Sequence, residues 1–378
     1  MRIDIATLFP DMCGSVLNES IVGRGIKNGF IEIYSHDIRQ YTENKHRRVD
    51  DKPYGGGTGM IMQAQPVYDC ISAIKAQREG KPRIIYMSPQ GEVLTQNKVQ
   101  ELAAEPWLIL LCGHYEGIDQ RVLDELECEE LSVGNYVLTG GELPALIVAD
   151  AVARLQPGVL PNEDAYSIES HYNGLLEYPQ YTRPEEWHGR KVPEILLNGD
   201  HRIVTDWQQA EALRVTKKKR PDMYREYMSR LYAEFWNGFL EAKGLDRGTK
   251  YSLCRFGQDE EASARLIKLL LRGKKRAIVY RIDDKNGGGI LPKKGAYTVV
   301  IDWDGIPRCV IKSIRAQVIR FNEVTLDQVL KMGEDDTVEQ WLKRYREFFI
   351  STDRGHEFSE DMPIVYEEFR LEYKGTKK

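Results

Sequence analysis

The sequence predicts an α/β protein, with a first domain built on a largely parallel sheet and a smaller α+β domain with a barrel-like sheet after it. From the amino terminus to about Ala153, short β-rich runs alternate with segments of helical spacing, the pattern of a parallel α/β unit. After Lys250 the order changes to a helix, several β-rich runs, a second helix and a last β-rich run. The length of 378 residues accommodates two or three domains.

The elements of the first domain follow from local composition. β-rich runs predict strands, at Arg2–Phe9, Arg83–Met87, Trp107–Cys112 and Glu130–Val133. Helical spacing predicts helices, at Pro66–Arg78, Thr95–Ala104, Asp119–Leu126 and Glu142–Leu155. The last helix follows a Gly-Gly turn and begins with an acid, which suits the positive end of the helix dipole. Each strand ends where a turn-rich segment begins, and ligands of open α/β sheets bind at such loops.

The second half of the chain has a different organisation. Residues 155–199 form a long connection rich in Pro, Gly, Asn and acids. Two helices are predicted next, and the aromatic face of the second favours packing over base stacking. A Gly-containing linker precedes the α+β domain. The segments are the helices Asp200–Lys219 and Pro221–Lys243, the linker Gly244–Lys250, the helices Asp259–Arg272 and Thr337–Phe349, and the strands Arg276–Ile282, Ala296–Ile301, Arg308–Phe321 and Ile364–Tyr373.

Composition excludes several classes of protein. The net charge of −5 excludes nucleic-acid binding through bulk positive charge, although local basic patches remain available. Six scattered cysteines form no Cys-x-x-Cys pair and are typical of buried thiols in a reducing compartment. The amino terminus lacks the pattern of a signal peptide, and no apolar run reaches the length of a membrane span. We therefore expect a cytoplasmic protein without a membrane partner.

Four loops carry the candidate chemistry. Three of them follow predicted strands and are rich in small residues, which lets a ligand lie against backbone N–H and C=O groups: Tyr86–Gly91, Gly113–Asp119 and Ser132–Pro144. Together they predict a pocket for a nucleotide-like ligand. The fourth, Tyr54–Met60, is glycine-rich but lacks the ending of a P-loop. It follows the basic run His46–Lys52, so the sequence allows either a polyanion contact or a solvated surface loop.

Six motifs in order resemble bacterial tRNA (guanine-N1)-methyltransferases over about residues 1–243. They are Leu8–Pro10, Val49–Met60, Tyr86–Gly91, Cys112–Asp119, Ser132–Pro144 and Tyr181–Pro184. The resemblance implies a SPOUT-class enzyme with a deep trefoil knot, which forms an obligate homodimer. It also implies S-adenosylmethionine as the cofactor and the guanine at tRNA position 37, just 3′ of the anticodon, as the substrate. Knots are rare exceptions to topology rules, so no periodicity argument predicts one.

The resemblance also implies the site residues. Cofactor-binding positions fall on the pocket motifs: Tyr86, Ser88, Pro89, Gly113, Tyr115, Glu116, Gly117, Ser132, Val133, Gly134, Tyr136, Leu138, Gly140, Gly141 and Pro144. Glu116 corresponds to an acid beside the methionine end of the cofactor, where a magnesium ion is a family expectation only. His114 stands where the family often has Arg, so a phosphate or base contact there would be either weaker or dependent on protonation.

Chemistry explains why two further residues are expected. Guanine N1 carries a proton at neutral pH, so a base must remove that proton while a cation stabilises the charge that develops on O6. By resemblance the cation is Arg154. The base is Glu169, where the family usually has Asp, with Asp164 as an alternative. In a homodimer, Glu169 of one chain could serve the pocket of the other.

The region after residue 250 resembles an ASCH domain, a small barrel related to the PUA fold for which RNA binding is the usual proposal. The matching segments are Arg255–Gly257, Leu271–Lys275, Lys294–Val300, Phe321–Val324, Met332–Asp335, Val338–Trp341 and Phe358–Pro363. Some relatives hydrolyse modified nucleosides through Lys, Thr and Glu. Here Lys275 matches, whereas Ile278 and Gln340 replace the other two, which argues against hydrolysis.

The resemblances together predict five segments. They are a catalytic SPOUT domain at 1–160, a flexible loop at 161–175, a helical tRNA-binding subdomain at 176–243, a linker at 244–250 and an ASCH-like domain at 251–378. Two alternative functions remain open. One is a SPOUT methyltransferase acting on a different RNA guanosine, and the other is a non-catalytic RNA-binding protein that retains the cofactor pocket.

Overall fold

The computed structural model of the chain describes residues 1–162, 164–282, 291–351 and 358–375, with the side chains of residues 164 and 165 excepted. The chain divides into two compact units, Met1–Glu177 and Tyr178–Lys378. In the described residues, no helix is both long enough and apolar enough to cross a membrane.

The first unit alternates strands and helices as the sequence predicts. Its strands are β1 (Arg2–Thr7), β2 (Glu32–Asp37), β3 (Asp50–Asp51), β4 (Ile61–Met62), β5 (Arg83–Val93), β6 (Trp107–Cys112) and β7 (Glu129–Ser132). Its helices are α1 (Pro10–Leu17), α2 (Ser20–Lys27), α3 (Ala64–Lys75), α4 (Gln96–Ala103), α5 (Gln120–Glu125), α6 (Glu142–Ala153) and α7 (Asp164–Ser167), and a 3-10 helix spans Ile38–Tyr41.

The main sheet of this unit has the order β2-β1-β6-β5-β7, and every pairing in it is parallel. Its central strand β6 is apolar and buried on both faces, because helices cover both faces of the sheet. Ile3 and Ile5 of β1 pack on one side with α1, α2, α4 and α6, whereas Ala6 packs on the other side with α3 and α5. The loops that predict the ligand pocket therefore lie together at the carboxyl edge of this sheet.

The second unit contains two long helices and a curled sheet. Its strands are β8 (Glu186–Trp187), β9 (Arg190–Lys191), β10 (Tyr251–Arg255), β11 (Ala277–Arg281), β12 (Tyr297–Ile301), β13 (Pro307–Arg320) and β14 (Pro363–Lys374). Its helices are α8 (His201–Lys219), α9 (Pro221–Lys243), α10 (Glu260–Leu271), α11 (Leu326–Met332) and α12 (Val338–Ser351), with 3-10 helices at Glu194–Leu197 and Phe321–Glu323.

The curled sheet has the order β10-β12-β13-β14-β11. The β10–β12 pairing is parallel and the other three are antiparallel. The aromatic face of α9 packs directly on this sheet. Phe239 is fully buried, with its ring centroid 5.2 Å from that of Tyr297 and 5.8 Å from that of Tyr373. The packing interpretation of this face is thus confirmed for its carboxyl-terminal half.

All strands and helices named from the sequence are present, with ends that differ by a few residues. Several elements were missed, namely α1, α2, α7, α11, β2, β10 and the short pairs β3–β4 and β8–β9. These elements are short or polar; β2, for example, reads Glu-Ile-Tyr-Ser-His-Asp at an edge of the sheet. An edge strand carries less apolar signal than a central one.

Candidate active site

The three loops after β5, β6 and β7 form one cleft of about 210 Å³. Fourteen of the fifteen predicted cofactor-binding residues line it, namely Tyr86, Ser88, Pro89, Gly113, Tyr115, Glu116, Gly117, Ser132, Val133, Tyr136, Leu138, Gly140, Gly141 and Pro144. Gly134 is not among the lining residues; its backbone turns beneath the Tyr136 ring instead. Met87, His114, Leu131, Val137 and Thr139 also line the cleft. All of them except Leu131 lie inside the same motifs, which was the sequence feature that could have identified them.

Two glycines are required where the loops approach each other. A Cβ on Gly113 would stand 2.8 Å from the Tyr86 ring, and one on Gly141 would stand 2.7 Å from the Cα of Cys112. The Gly141 N–H donates to the Gly113 carbonyl at 2.8 Å, which ties the second loop to the third. The loop backbones therefore stay close, as a cradle for a ligand bound by main-chain groups requires.

A buried hydrogen bond joins β1 to the third loop. Glu142, the first residue of α6, is buried, and its Oε1 accepts from Oγ1 of Thr7 at 2.8 Å. The same hydroxyl accepts from the Phe9 N–H at 2.9 Å. His114 pairs through its backbone with Gly140, and within the described residues its buried Nδ1 has no hydrogen-bond partner. A polar ring atom thus remains available beside the cleft.

The glycine-rich segment before β4 is attached to the cleft. The Glu116 N–H donates to the Met60 carbonyl at 3.0 Å, and the Met62 N–H donates to the Gly117 carbonyl at 2.9 Å. Gly59 leaves space for the Glu116 side chain, because a Cβ there would lie 2.6 Å from Glu116 Cγ. Among the cleft-lining residues, Glu116 is the one carboxylate in the part of the chain that the structure describes.

Arg154 and Glu169 form a bidentate ion pair. Arg154 Nη1 donates to Glu169 Oε2 at 2.6 Å and Nη2 donates to Oε1 at 2.9 Å. The hydrogen bond to Glu169 raises the pKa of Arg154, so the guanidinium stays charged. Arg154 directly follows α6, and Glu169 lies just after α7. Neither residue lines the cleft formed by the three loops.

Three further sequence expectations concern Asp164, the cysteines and a metal site. Asp164, the alternative base, begins α7, and its side chain lies outside the described residues. The six cysteines form no disulfide, and burial raises the pKa of Cys70 to about 12. In the described residues, no group of three or more His, Cys, Asp or Glu side chains could hold a metal ion.

A second cleft, of about 590 Å³, lies in the curled-sheet part of the second unit. Lys275 and Glu334 pair in its lining at 2.7 Å, with side chains only 1% and 2% exposed. Burial lowers the pKa of Lys275. Ile278 lines this cleft, whereas Gln340 does not. The carboxylate beside Lys275 is therefore that of Glu334, which the sequence motifs did not identify. Glu334 lies within the ASCH-matching segment Met332–Asp335, and this was the sequence feature that could have identified it.

The segment Arg272–Arg276 after α10 contains four cations, which in sequence suit either a solvated helix end or an RNA-backbone patch. Arg272, Lys274 and Arg276 are exposed, but Lys275 is buried and does not belong to a surface patch. Three cations, rather than four, are thus available there to a polyanion.

Comparison with known families identifies the first part of the chain. The family model described as tRNA (Guanine-1)-methyltransferase TrmD matches residues 1–226, more than half of the chain. The chain belongs to this family. A second family model, the ASCH domain, matches residues 252–373. Both resemblances inferred from the motifs are therefore confirmed.

Relatives in the TrmD family share about half of their residues with this chain. A protein of Ruminiclostridium cellulolyticum named tRNA (guanine-N(1)-)-methyltransferase is 54% identical over 226 residues, which are 60% of this chain and 97% of the relative. Proteins with the same name from Lachnospira eligens and Clostridioides difficile are 51% and 47% identical. They align over 62% and 60% of this chain and over 100% and 98% of their own lengths. The ASCH-matching region lies outside these alignments, after the TrmD-matching region.

Proposed function

We propose that this TrmD family member transfers a methyl group from S-adenosylmethionine to N1 of the guanine at position 37 of tRNA. The main support for this proposal is the Arg154–Glu169 ion pair, which brings together the cation and the carboxylate that this chemistry requires. The three-loop cleft and the relatives named tRNA (guanine-N(1)-)-methyltransferase support the same reaction. Because tRNA is the proposed substrate, we place the protein in the cytoplasm.

The cleft fits the cofactor. S-adenosylmethionine supplies an electrophilic methyl group when bound. Glycines at Gly113 and Gly141 keep side chains out of the cleft, so backbone groups can contact an adenine edge. Tyr86 and Leu131 supply apolar walls, and the carboxylate of Glu116 suits a cationic group. These residues, together with the others that line the cleft, hold and orient the methyl donor.

The ion pair activates the acceptor. Glu169 accepts the N1 proton of guanine while Arg154 donates hydrogen bonds to O6, where negative charge develops. Each side chain is 35% exposed, so RNA can reach both. Because Arg154 and Glu169 satisfy each other's hydrogen bonds, guanine must insert between them. Glu169 stands where the family usually has Asp. It keeps the carboxylate and adds one methylene group to the side chain.

A homodimer would complete the site. The catalytic pair lies outside the cleft lining, which is what a site shared between two copies requires. α1 and α6 pack together, and the segment around them exposes five large apolar side chains, Phe9, Met12, Val16, Leu143 and Ile147. Exposed apolar clusters of this kind mark protein interfaces. We infer that this surface binds a second copy, so that Glu169 and Arg154 serve the partner's cleft.

The family knot is also part of the proposal. Close backbone approaches support it, because a chain threaded through a loop has no room for side chains at the crossing. A Cβ on Gly91 would stand 2.3 Å from the Glu130 carbonyl carbon, and Gly141 lies against Cys112 in the same way. For magnesium, the described residues contain no cluster of three His, Cys, Asp or Glu side chains that could hold the ion.

The ASCH domain is proposed as an accessory RNA-binding module. Arg272, Lys274 and Arg276 are exposed and close together in sequence, as a backbone contact requires. Replacing all three by Gln should raise the tRNA KM and reduce the slope of log KM against log salt by about 2, at about 0.7 to 0.9 for each phosphate contact. An unchanged KM and slope would show that these cations are a solvated surface.

One experiment separates the proposed function from its two alternatives. Calorimetry with S-adenosylmethionine tests the cleft, and a methylation assay on unmodified tRNA transcripts with G37 or A37 tests the substrate. Transfer to the G37 transcript alone supports the proposal. Transfer to both transcripts identifies a different guanosine as the acceptor. Cofactor binding with no transfer to either transcript indicates a non-catalytic RNA-binding protein.

A further inference from the structure

A short hairpin next to the cofactor cleft has no assigned role. β3 and β4 pair in antiparallel fashion, Asp50 with Met62 and Asp51 with Ile61, and residues 52–60 form the tip between them. We call residues 45–62 the hairpin arm. It combines two sequence features, a basic run and a glycine-rich segment, that the proposed reaction does not use.

The tip of the hairpin arm presents one aromatic ring to solvent. Tyr54 is 99% exposed, so it gains nothing from the core of the protein. Gly55, Gly56 and Gly57 follow it, all with positive φ, and a Cβ on any of them would meet no atom within 4 Å. The backbone after Tyr54 is therefore unobstructed, and the ring can turn to meet a flat partner.

The base of the hairpin arm and the first residue of its tip carry unpaired positive charge. Lys45, Arg47, Arg48 and Lys52 are exposed, and none of them forms an ion pair with the residues that the structure describes. Residues 44–49 contain three of these cations and His46 without any acid. Asp50 and Asp51 follow, but they are in β3, where Asp51 Oδ1 accepts from the Lys52 N–H.

The hairpin arm is anchored at the cleft. Its Met60 carbonyl and Met62 N–H bond to the backbone of Glu116 and Gly117, which line the cofactor site. Cations and an exposed ring are thus held on the rim where the nucleic acid must pass. Cations beside an exposed aromatic ring are the combination that binds single-stranded nucleic acid, through phosphates and through base stacking.

We propose that the hairpin arm binds the anticodon loop of the substrate tRNA. Arg47 and Arg48 contact its phosphates, and Tyr54 stacks on an unpaired base. This inference rests on the proposed function, since it takes tRNA as the substrate. An unpaired loop suits the arm better than a duplex does, because its bases are free to stack on a protein ring.

The test measures tRNA binding and cofactor binding separately, in the full-length protein. We compare Tyr54→Ala, Tyr54→Phe and the double variant Arg47→Ala/Arg48→Ala with the wild type. The charge control is Arg78→Ala/Lys81→Ala, which removes two exposed cations that precede β5 at the opposite, amino edge of the sheet. Lys81 forms an exposed ion pair with Glu127, which contributes little. The readouts are the tRNA KM, its salt dependence and the calorimetric Kd for S-adenosylmethionine.

We expect Tyr54→Ala to raise the tRNA KM by about 5- to 150-fold, the usual effect of losing one stacked base, while Tyr54→Phe stays near the wild type. Arg47→Ala/Arg48→Ala should reduce the slope of log KM against log salt by about 1.4, and Arg78→Ala/Lys81→Ala should not change it. The cofactor Kd should stay constant in all variants.

Two results would overturn the inference. One is a tRNA KM for Tyr54→Ala equal to that of the wild type, and the other is an equal loss of salt dependence in the control. Neither would affect the proposed function, because wild-type transfer to G37 is measured independently. Failure of the wild type to methylate G37 would instead contradict the proposed function itself. A raised cofactor Kd in Tyr54→Ala would show that the hairpin arm acts on the cleft rather than on RNA.

Discussion

Arg154 and Glu169 form a bidentate pair through two hydrogen bonds, 2.6 Å and 2.9 Å long, between the guanidinium and both carboxylate oxygens. A planar fork of this kind fits a carboxylate, and it can equally donate to a guanine carbonyl. The pair is partly exposed, so its net contribution to stability is small. Its geometry therefore suits a site that substrate opens better than a permanent structural link.

Replacing Glu169 by Gln should remove most methyl transfer. The amide keeps the shape of the side chain but cannot accept the N1 proton, and loss of a general base costs about 10²- to 10⁴-fold in rate. Single-turnover kinetics with enzyme in excess over tRNA would measure the chemical step. Calorimetry should give an unchanged Kd for S-adenosylmethionine, because Glu169 does not line the cleft. A normal single-turnover rate would assign the base to a different residue, with Asp164 the first to test.

Mixed dimers should show whether Arg154 and Glu169 of one active site come from the same chain. An Arg154→Ala chain and a Glu169→Gln chain, each inactive alone, are combined with two different affinity tags and purified as the mixed dimer. If Arg154 and Glu169 of one site come from the same chain, as their ion pair indicates, every site of the mixed dimer has one defect and activity stays near zero. If they come from different chains, one site carries both defects and the other carries neither, so about half of the activity should return. Either result assigns the residues to chains.

The sequence predicted the cleft well because its information is local. Gly113 and Gly141 fall in motifs after strands, and parallel strands bring such loops to one edge. The Lys275–Glu334 contact could not be predicted in this way. It joins residues 59 apart through the fold of the second unit, and only packing shows that both side chains are buried. The motif comparison therefore named Gln340, which does not line the cleft.

The edge strand β2 and the linker segment were also difficult to predict, because their structure depends on contacts with other parts of the chain. β2 forms because β1 offers it a parallel edge, not because Glu32–Asp37 has a strong strand pattern. Similarly, the segment Gly244–Lys250 has the composition of a linker, yet the aromatic residues on either side of it pack together. The ring centroids of Trp236 and Tyr251 are 4.6 Å apart.

Gly141→Ala should damage the cleft. The new Cβ would stand 2.7 Å from a backbone atom of Cys112, so one loop must move. Overpacking of this kind costs about 1–3 kcal/mol of unfolding free energy, and displacement of the loop should weaken cofactor binding at least tenfold. Urea unfolding and calorimetry would measure the two effects. Gly14→Ala, inside α1 with only a 3.7 Å contact, is the control and should be neutral or stabilising.

Phe239→Ala should test how firmly α9 packs on the curled sheet. The ring is fully buried against Tyr297 and Tyr373, so its removal should cost about 3–5 kcal/mol of unfolding free energy. Phe235, half-buried on the same helix, is the control, and its truncation should cost less. Equal and small costs for both variants would show that the helix does not depend on this contact.

Glu334→Gln should destabilise the second unit in a pH-dependent way. Burial alone would raise the pKa of Glu334, but Lys275 and Arg344 outweigh it and hold this pKa below its ordinary value. Removing the carboxylate leaves a buried ammonium without its anion, which costs about 3–5 kcal/mol. Glu211→Gln, which breaks the exposed pair with Arg214, is the control and should cost about 1 kcal/mol or less. Chemical unfolding followed by tryptophan fluorescence measures both.

The sign of the pH dependence follows from the lowered pKa. A carboxylate whose pKa is lower in the folded state than in the unfolded state stabilises the fold at pH values above the unfolded pKa, about 4.5 for Glu. That stabilisation is lost as the pH falls through the folded-state pKa. The difference in unfolding free energy between wild type and Glu334→Gln should therefore be constant near pH 6–7 and shrink as the pH falls below about 4.5. A difference that grows toward acid pH would mean that Glu334 is protonated in the folded protein and that Lys275 is held by other groups.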